Sequence, residues 1–454
     1  MFRLAVITMT GTLAACLLAV SSVKPSAGQG SGAASSDTQY LTAQLDNPVS
    51  RLQKRLDSRK ANLEWHDRHG FLRAVLRELN ISPSSQTLVF SKTSLQRDFI
   101  SPRTPRAIYF NDESYVAWIP DAPILEISTT DARWGGVFYT IVQNATDKTN
   151  PTDRPRLFRQ TFDCISCHKS PLTENVPGPI LRSVYALADG LPDLSGGSFV
   201  TTDSSPMSDR WGGWYVTGTH GRQRHMGNAF ARGSGRDSQG ELTGVSLDRE
   251  AGANVTDLKG RLDTSPYLSG HSDIVALMVL NHQITVHNRV TQANFLTRDA
   301  LRDEAVMNKF EGKPANERRP ATTRRLQSAT EPLVKALLFS GEPPLIDPVS
   351  GTSNFARDFA ALETPRDKQG RSLRDLDLNR RLLRYPCSYL IYSEAFDALP
   401  APARECVYQR IGEVVDGKAT GDDYASLSPE DRRAIDGILR DTKPGYAEVR
   451  AANP

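Results

Sequence analysis

Cysteine is scarce in this chain, five residues in 454, too few and too scattered for the disulfide framework that holds small secreted domains together. Methionine and tryptophan are as sparse, at six and five. No long apolar run occurs after Val23, so no later segment is fit to span a bilayer. An excess of one charge is also missing. The formal net charge of +3 is small for this length and gives no basis for binding nucleic acid or a membrane surface. No internal repeat is present, which excludes solenoids and propellers, and no signalling domain is evident. What remains, 39% hydrophobic and 24% charged residues, is the composition of a chain that buries a substantial core, with length for two or three units.

The one long apolar stretch, Leu4 to Val23, follows Arg3 and is followed by Lys24-Pro25-Ser26-Ala27. A positive start, an apolar core and small residues make a secretory signal, expected over residues 1–27 and removed by cleavage near Ser21 or Ala27. Leu13-Ala14-Ala15-Cys16 resembles the lipobox of bacterial lipoproteins, so a lipid anchor at Cys16 is an alternative, and retention as a membrane anchor a third. Residues 28–40 are a Gly/Ser/Ala linker. The expected compartment is the periplasm or beyond.

Two of the five cysteines stand in Cys164-Ile165-Ser166-Cys167-His168. C-x-x-C-H is the spacing of covalent haem attachment. Two thiols at this distance can each add to one of two vinyl groups on one edge of the macrocycle, and the adjacent imidazole reaches the iron as proximal ligand. Half a zinc site is a poor alternative, because the later cysteines, Cys387 and Cys406, are isolated. A thioredoxin-like redox pair needs a strand before the motif, and Arg159 to Asp163 makes an unconvincing one. One covalent haem c is therefore expected, with Cys164 and Cys167 as thioethers and His168 as axial ligand.

The rest of the chain predicts an α+β fold with a small antiparallel sheet, a Gly-rich haem region and a mainly helical C-terminal part. Residues 41–150 form the N-terminal α+β region. Helical spacing comes first, clearest in Phe71-Leu72, Val75-Leu76 and Leu79. Strand-like runs follow at Thr87–Phe90, Ala107–Phe110, Tyr115–Ile119, Ile124–Ile127 and Gly136–Ile141, divided by Asn111-Asp112 and by Pro120 to Pro123. Residues 151–310 form the haem region and close with a long helix expected from an N-cap at Ser272. Residues 311–454 are helical: a pair over Cys387–Ser393 and Arg404–Val415, then a helix opened by Ser428-Pro429. A Cys387–Cys406 bridge is geometrically open. The Arg318 to Arg325 stretch reads as a solvated basic loop, or as a docking site for an acidic redox partner.

The second informative segment is Asp209 to Asn228, where His220, His225 and Met226 lie among Trp211, Trp214, Tyr215 and several glycines. All three are candidates for the sixth iron position, Met226 foremost, because a thioether ligand suits an electron carrier. A hydrogen-bonded, packed Gly-rich loop is the alternative. His282 and His287 lie about 140° apart round a helix, so they do not chelate one metal. His66 and His69 read as surface or capping residues.

The C-x-x-C-H peptide resembles that of c-type cytochromes. Trp211 to Asn228 and Cys387 to Pro400 are similar to segments of large, single-haem bacterial cytochrome-like proteins of uncharacterised function. The resemblance implies Cys164 and Cys167 as attachment points, His168 as axial ligand and a redox partner protein. Met226 also stands at about the separation from His168 at which small cytochromes c place their ligand methionine. Electron transfer is the expected function. The alternative is a haem enzyme such as a peroxidase, with an open iron, Arg222, Arg224 or His225 polarising a bound peroxide, and Trp211, Trp214 or Tyr215 relaying electrons.

Overall fold

Alternating apolar residues between Thr87 and Val142, broken by turn residues, fold as the pattern predicts. The computed structural model describes residues 36–144, 154–233, 235–236, 242–419 and 421–452. It places β1 (Thr87–Val89), β2 (Arg106–Phe110), β3 (Ser114–Trp118), β4 (Ile124–Asp131) and β5 (Gly135–Val142) in one antiparallel sheet. Asn111 turns the chain between β2 and β3, its Oδ1 accepting from Glu113 N and Ser114 N at 3.1 and 2.9 Å, the local bond that favours Asn at such corners. Two short strands extend the sheet to seven, β6 (Phe158–Gln160) beside β5 and β9 (Trp214–Tyr215) beside β1. A separate hairpin pairs β7 (Arg182–Ala186) with β8 (Pro192–Val200).

Directly opposed residues share a face of an antiparallel sheet. The row Ile108, Ala117, Glu126, Thr140, Phe158 and the row Phe110, Tyr115, Ser128, Phe138, Gln160 therefore lie on one side. Arg106, two residues before Ile108, joins them. Tyr109, Val116, Ile127 and Tyr139 lie on the other. There His69 and Tyr267 stand against Trp118, with ring centroids at 5.6 and 5.8 Å.

The α-helices are α1 (Ser36–Thr42), α2 (Pro48–Asp57), α3 (Leu72–Glu78), α4 (Ile165–His168), α5 (Ile274–Phe310), α6 (Pro320–Leu337), α7 (Phe355–Ala361), α8 (Glu394–Asp397), α9 (Ala401–Val415), α10 (Pro429–Thr442) and α11 (Tyr446–Ala452). The chain is thus α+β. Residues Gln44–Pro454 form one compact unit and Met1–Ala43 another, to which α1 belongs. Within the larger unit one core draws Tyr115 from the sheet, Leu181, Trp211 and Val279 from the middle of the chain, and Leu333, Leu390 and Ile435 from the C-terminal helices. The expected signal, Cys16 and most of the linker lie outside the described residues. No helix among the described residues is long and apolar enough to cross a membrane.

Helix α5, 37 residues long, is the central strut. Its cap is Asp273 rather than Ser272. Asp273 Oδ1 accepts from Val275 N at 2.8 Å and Ala276 N at 3.3 Å. Ser272 Oγ instead donates to Tyr215 O at 2.5 Å and accepts from Leu88 N at 2.9 Å, stitching the helix to the sheet. Ser428 caps α10 with Pro429 at its first turn, as expected. Tyr389–Tyr392, within the first member of the expected C-terminal pair, is a 3₁₀ turn rather than an α-helix, and Cys387 and Cys406 are unbridged. The basic stretch from Arg318 to Arg325 is not a solvated loop. Arg318 pairs with Glu304 at 2.6 Å, Arg319 with Glu311 at 2.7 Å and Arg325 with Asp303 at 3.0 Å, fastening the start of α6 to the end of α5.

Candidate functional site

The C-x-x-C-H peptide folds as a single turn, α4, after the edge strand β6. That strand holds only three residues, too few for alternation to mark it. It runs antiparallel to β5 and leads into a four-residue helix, unlike the βαβ unit of a thioredoxin-like protein. The thiols also differ from a redox pair. Cys164 and Cys167 are not bonded to each other, and burial, with Glu126 nearby, pushes the Cys164 thiol up to about 11. A redox C-x-x-C carries a lowered pKa.

His168 is set by its surroundings. Its ring lies over Phe138 of β5, with centroids 4.5 Å apart and planes tilted by 41°. Nδ1 donates to Gly178 O at 2.9 Å. That bond fixes the tautomer and leaves Nε2 with its lone pair; no protein group takes Nε2 among the described residues. Burial lowers the imidazole pKa and the Gly178 bond opposes it, while Arg106 lowers and Glu126 raises it. The ring is thus neutral, as a ligand must be.

The strap carrying Gly178 is pinned on two sides. Gly136 N donates to Pro177 O at 2.8 Å, and Asn288 Nδ2 of α5 donates to Pro179 O at 3.0 Å. The approach is so close that a Cβ on Gly136 would stand 2.8 Å from Gly178 Cα. Sheet and strut together therefore fix the atom that orients His168.

The sheet face that carries Phe138 also carries an ion pair. Arg106 Nη1 donates to Glu126 Oε2 at 2.9 Å across Ala117, whose methyl is small enough to be bridged. Arg106 Nε and Glu126 Oε1 are buried without protein partners among the described residues, as is Ser128 Oγ. Phe158, Phe162 and Leu172, near the motif in sequence, expose large apolar side chains, which on a folded surface mark contact with something else.

The segment from Trp211 to Asn228 is packed. Met226 is 0% exposed and its sulfur accepts from Ser183 Oγ at 3.5 Å. His220 Nδ1 donates to Gln223 O at 2.8 Å and Nε2 accepts from Asn254 N at 3.0 Å, so both nitrogens are used. His225 Nδ1 accepts from Gly227 N at 3.0 Å, and burial, with the His220 charge adding, lowers its pKa to about 3. Ligation by Met226 would require its fully buried side chain to open onto the iron. Arg222 and Arg224 are engaged at the surface by Asp347 and Glu250.

Three further histidines, His69, His282 and His287, are held inside the fold. His69 is buried rather than superficial. Its Nε2 lies 3.0 Å from Pro266 O, and burial, with Arg73 adding, lowers its pKa to about 4. His287 Nδ1 lies 2.5 Å from Thr130 Oγ1. His282 joins Asp203 Oδ2 at 2.8 Å to Ser388 Oγ at 2.7 Å and stacks on Phe339. Ser388, His282 and Asp203 have the order of a nucleophilic triad, yet Ser388 and His282 are 0% exposed and Ser388 Oγ also caps Leu390 N. No substrate carbonyl can reach that hydroxyl, and the chain of bonds ties three segments of the core together.

Two surface clefts lie elsewhere. One, of about 350 Å³, is lined by Glu331, Cys406 and Arg410. The other, of about 410 Å³, is lined by Arg210, Met278 and Glu342. Neither includes a residue from Cys164 to His168. No cluster of three or more His, Cys, Asp or Glu that could hold a metal ion occurs among the described residues. Arg106, Glu126 and the Gly178 carbonyl are the site residues that motif reasoning missed; a charged Glu126 between Leu125 and Ile127 was the available signal. No protein-family model matches the chain, and no match to it was found among curated proteins or solved structures.

Proposed function

We propose that this protein is an exported c-type cytochrome that transfers electrons through one haem c attached at Cys164 and Cys167 and ligated by His168. The observation that carries the proposal is the His168 imidazole, kept neutral by burial and oriented by its bond to Gly178 O with Nε2 left open, one residue from an unbridged cysteine pair on a single helical turn. The residues fit the group. Each thioether would form by net addition of a cysteine S–H across one vinyl, with sulfur bonding one carbon, hydrogen the other, and no leaving group. The flat Phe138 ring, exposed Phe158 and Phe162, and the unpartnered atoms of Arg106 and Glu126 suit a largely apolar macrocycle with polar edges.

When bound, the haem supplies a one-electron couple at iron. The chain's part is to tether it, to present Nε2 in a fixed orientation through Phe138 and Gly178, and to place charges beside it. A partner protein at the exposed motif face would supply and accept the electron. The second reading, a haem enzyme with an open sixth position, is favoured by the sealed packing of Met226, His220 and His225.

The visible and near-infrared spectrum of the ferric, haem-loaded protein separates the two, recorded with and without cyanide. The electron carrier predicts a low-spin spectrum with a methionine charge-transfer band, indifferent to cyanide. A high-spin spectrum that shifts on addition would instead establish the open iron and turn the search to peroxide.

A further inference from the structure

We propose that the Arg106–Glu126 ion pair beneath His168 is the charge element that sets the reduction potential of the cofactor held there. The proposal rests on the haem reading above and assigns these two residues a role that the motif does not contain.

Placement is the first argument. Strand register puts Arg106, Ala117, Glu126 and Phe138 on one face of the sheet, and the His168 ring lies directly on Phe138. Partial burial is the second. Both side chains are 18% exposed, so solvent screens their charges far less than it screens a surface pair. The third is incomplete pairing. Among the described residues Arg106 Nε and Glu126 Oε1 are both left without protein partners, so each keeps a polar atom free to meet a polar edge of the cofactor.

The physical consequence follows from charge. Oxidised haem iron carries one more positive charge than reduced iron. A carboxylate nearby favours the oxidised state and lowers the potential; a guanidinium favours the reduced state and raises it. Together they nearly cancel. Removing either uncovers the other.

The test is a spectroelectrochemical titration of the full-length, haem-loaded chain and its variants, with far-UV circular dichroism as the check on folding. Glu126→Gln should raise the midpoint potential and Arg106→Gln should lower it, with the double variant returning towards the parent. Both single changes break the same bond, so a merely structural pair would move the potential in one direction or in neither. Shifts of the same sign, or no shift, overturn the proposal. Glu126→Asp and Arg106→Lys keep each charge while changing the bond, and serve if the neutral variants fail to fold. Each should stay near the parent, and a displacement of either from the parent potential equally overturns it. Failure of the haem reading is a distinct result: the denatured parent would carry no haem at all, and the proposal would fall with it.

Discussion

Replacing Asp273 by alanine should destabilise the chain by about 3–4 kcal/mol, a sizeable part of the roughly 5–15 kcal/mol that holds a folded protein together. Asp273 is fully buried and its two oxygens divide the work. Oδ1 caps α5 through Val275 N and Ala276 N. Oδ2 accepts from Thr352 N at 2.9 Å and from Ser353 N and Oγ at 2.8 Å, binding the loop before α7 to the strut. Losing the cap costs about 1 kcal/mol, and stranding two part-buried backbone N–H groups about 1 kcal/mol each at the low end of the range. The charge opposite the α5 N-terminus adds up to about 1 kcal/mol. The Ser353 hydroxyl adds nothing, because it can fall back on Ser84 O at 3.4 Å. Asp273→Asn keeps one acceptor and should lose about half as much. Gly351→Ala should injure the same joint, since a Cβ there would stand 2.4 Å from both carboxylate oxygens. Equilibrium urea unfolding followed by circular dichroism measures all three. An alanine variant that loses under about 1 kcal/mol, or an asparagine variant as damaging as alanine, would refute the division of labour.

Two further outcomes follow from buried groups outside the motif. His225 is held neutral in the fold with its pKa at about 3 against an ordinary 6.5, so its contribution is full above 6.5 and is lost as pH falls towards 3. Between pH 7 and 5 the parent should lose about 2 kcal/mol more unfolding free energy than His225→Gln, and equal losses would contradict the assignment. The comparison between variants matters because burial raises Glu113 to about 8 and Glu342 to about 7, whose contributions are lost in the opposite direction, as pH rises. Ser388→Ala should cost about 1–3 kcal/mol by stranding His282 Nε2, and neither it nor the parent should hydrolyse an activated ester. Ester hydrolysis by the parent that the variant abolishes would show that Ser388 is reachable after all.

The sheet was legible wherever a strand was long enough to alternate. Ala107–Phe110, Tyr115–Ile119 and Gly136–Ile141 each stand within a residue of the observed strands because turn residues flank them. Phe158–Gln160 and Trp214–Tyr215 were not, since two or three residues carry no period and join the sheet only through long-range pairing. The cap of α5 fell one residue away because Ser272 and Asp273 are both good caps, and only tertiary bonding decides which is used for the sheet. The motif itself was plain, but its support was not. Gly178 lies ten residues beyond His168 across a proline-rich strap, and Arg106 and Glu126 meet only because β2 and β4 flank Ala117. Met226 drew attention by its spacing, which carried no sign that its side chain is buried with its sulfur accepting from Ser183.

The most direct test of covalent haem attachment is the mass of the denatured polypeptide, matured with haem in an exporting host, after acid extraction of loose haem. Attachment at Cys164 and Cys167 predicts one haem retained per chain, with normal double attachment abolished in Cys167→Ala. A parent chain at its bare polypeptide mass, or a Cys167→Ala variant that keeps the haem chromophore as the parent does, would contradict it.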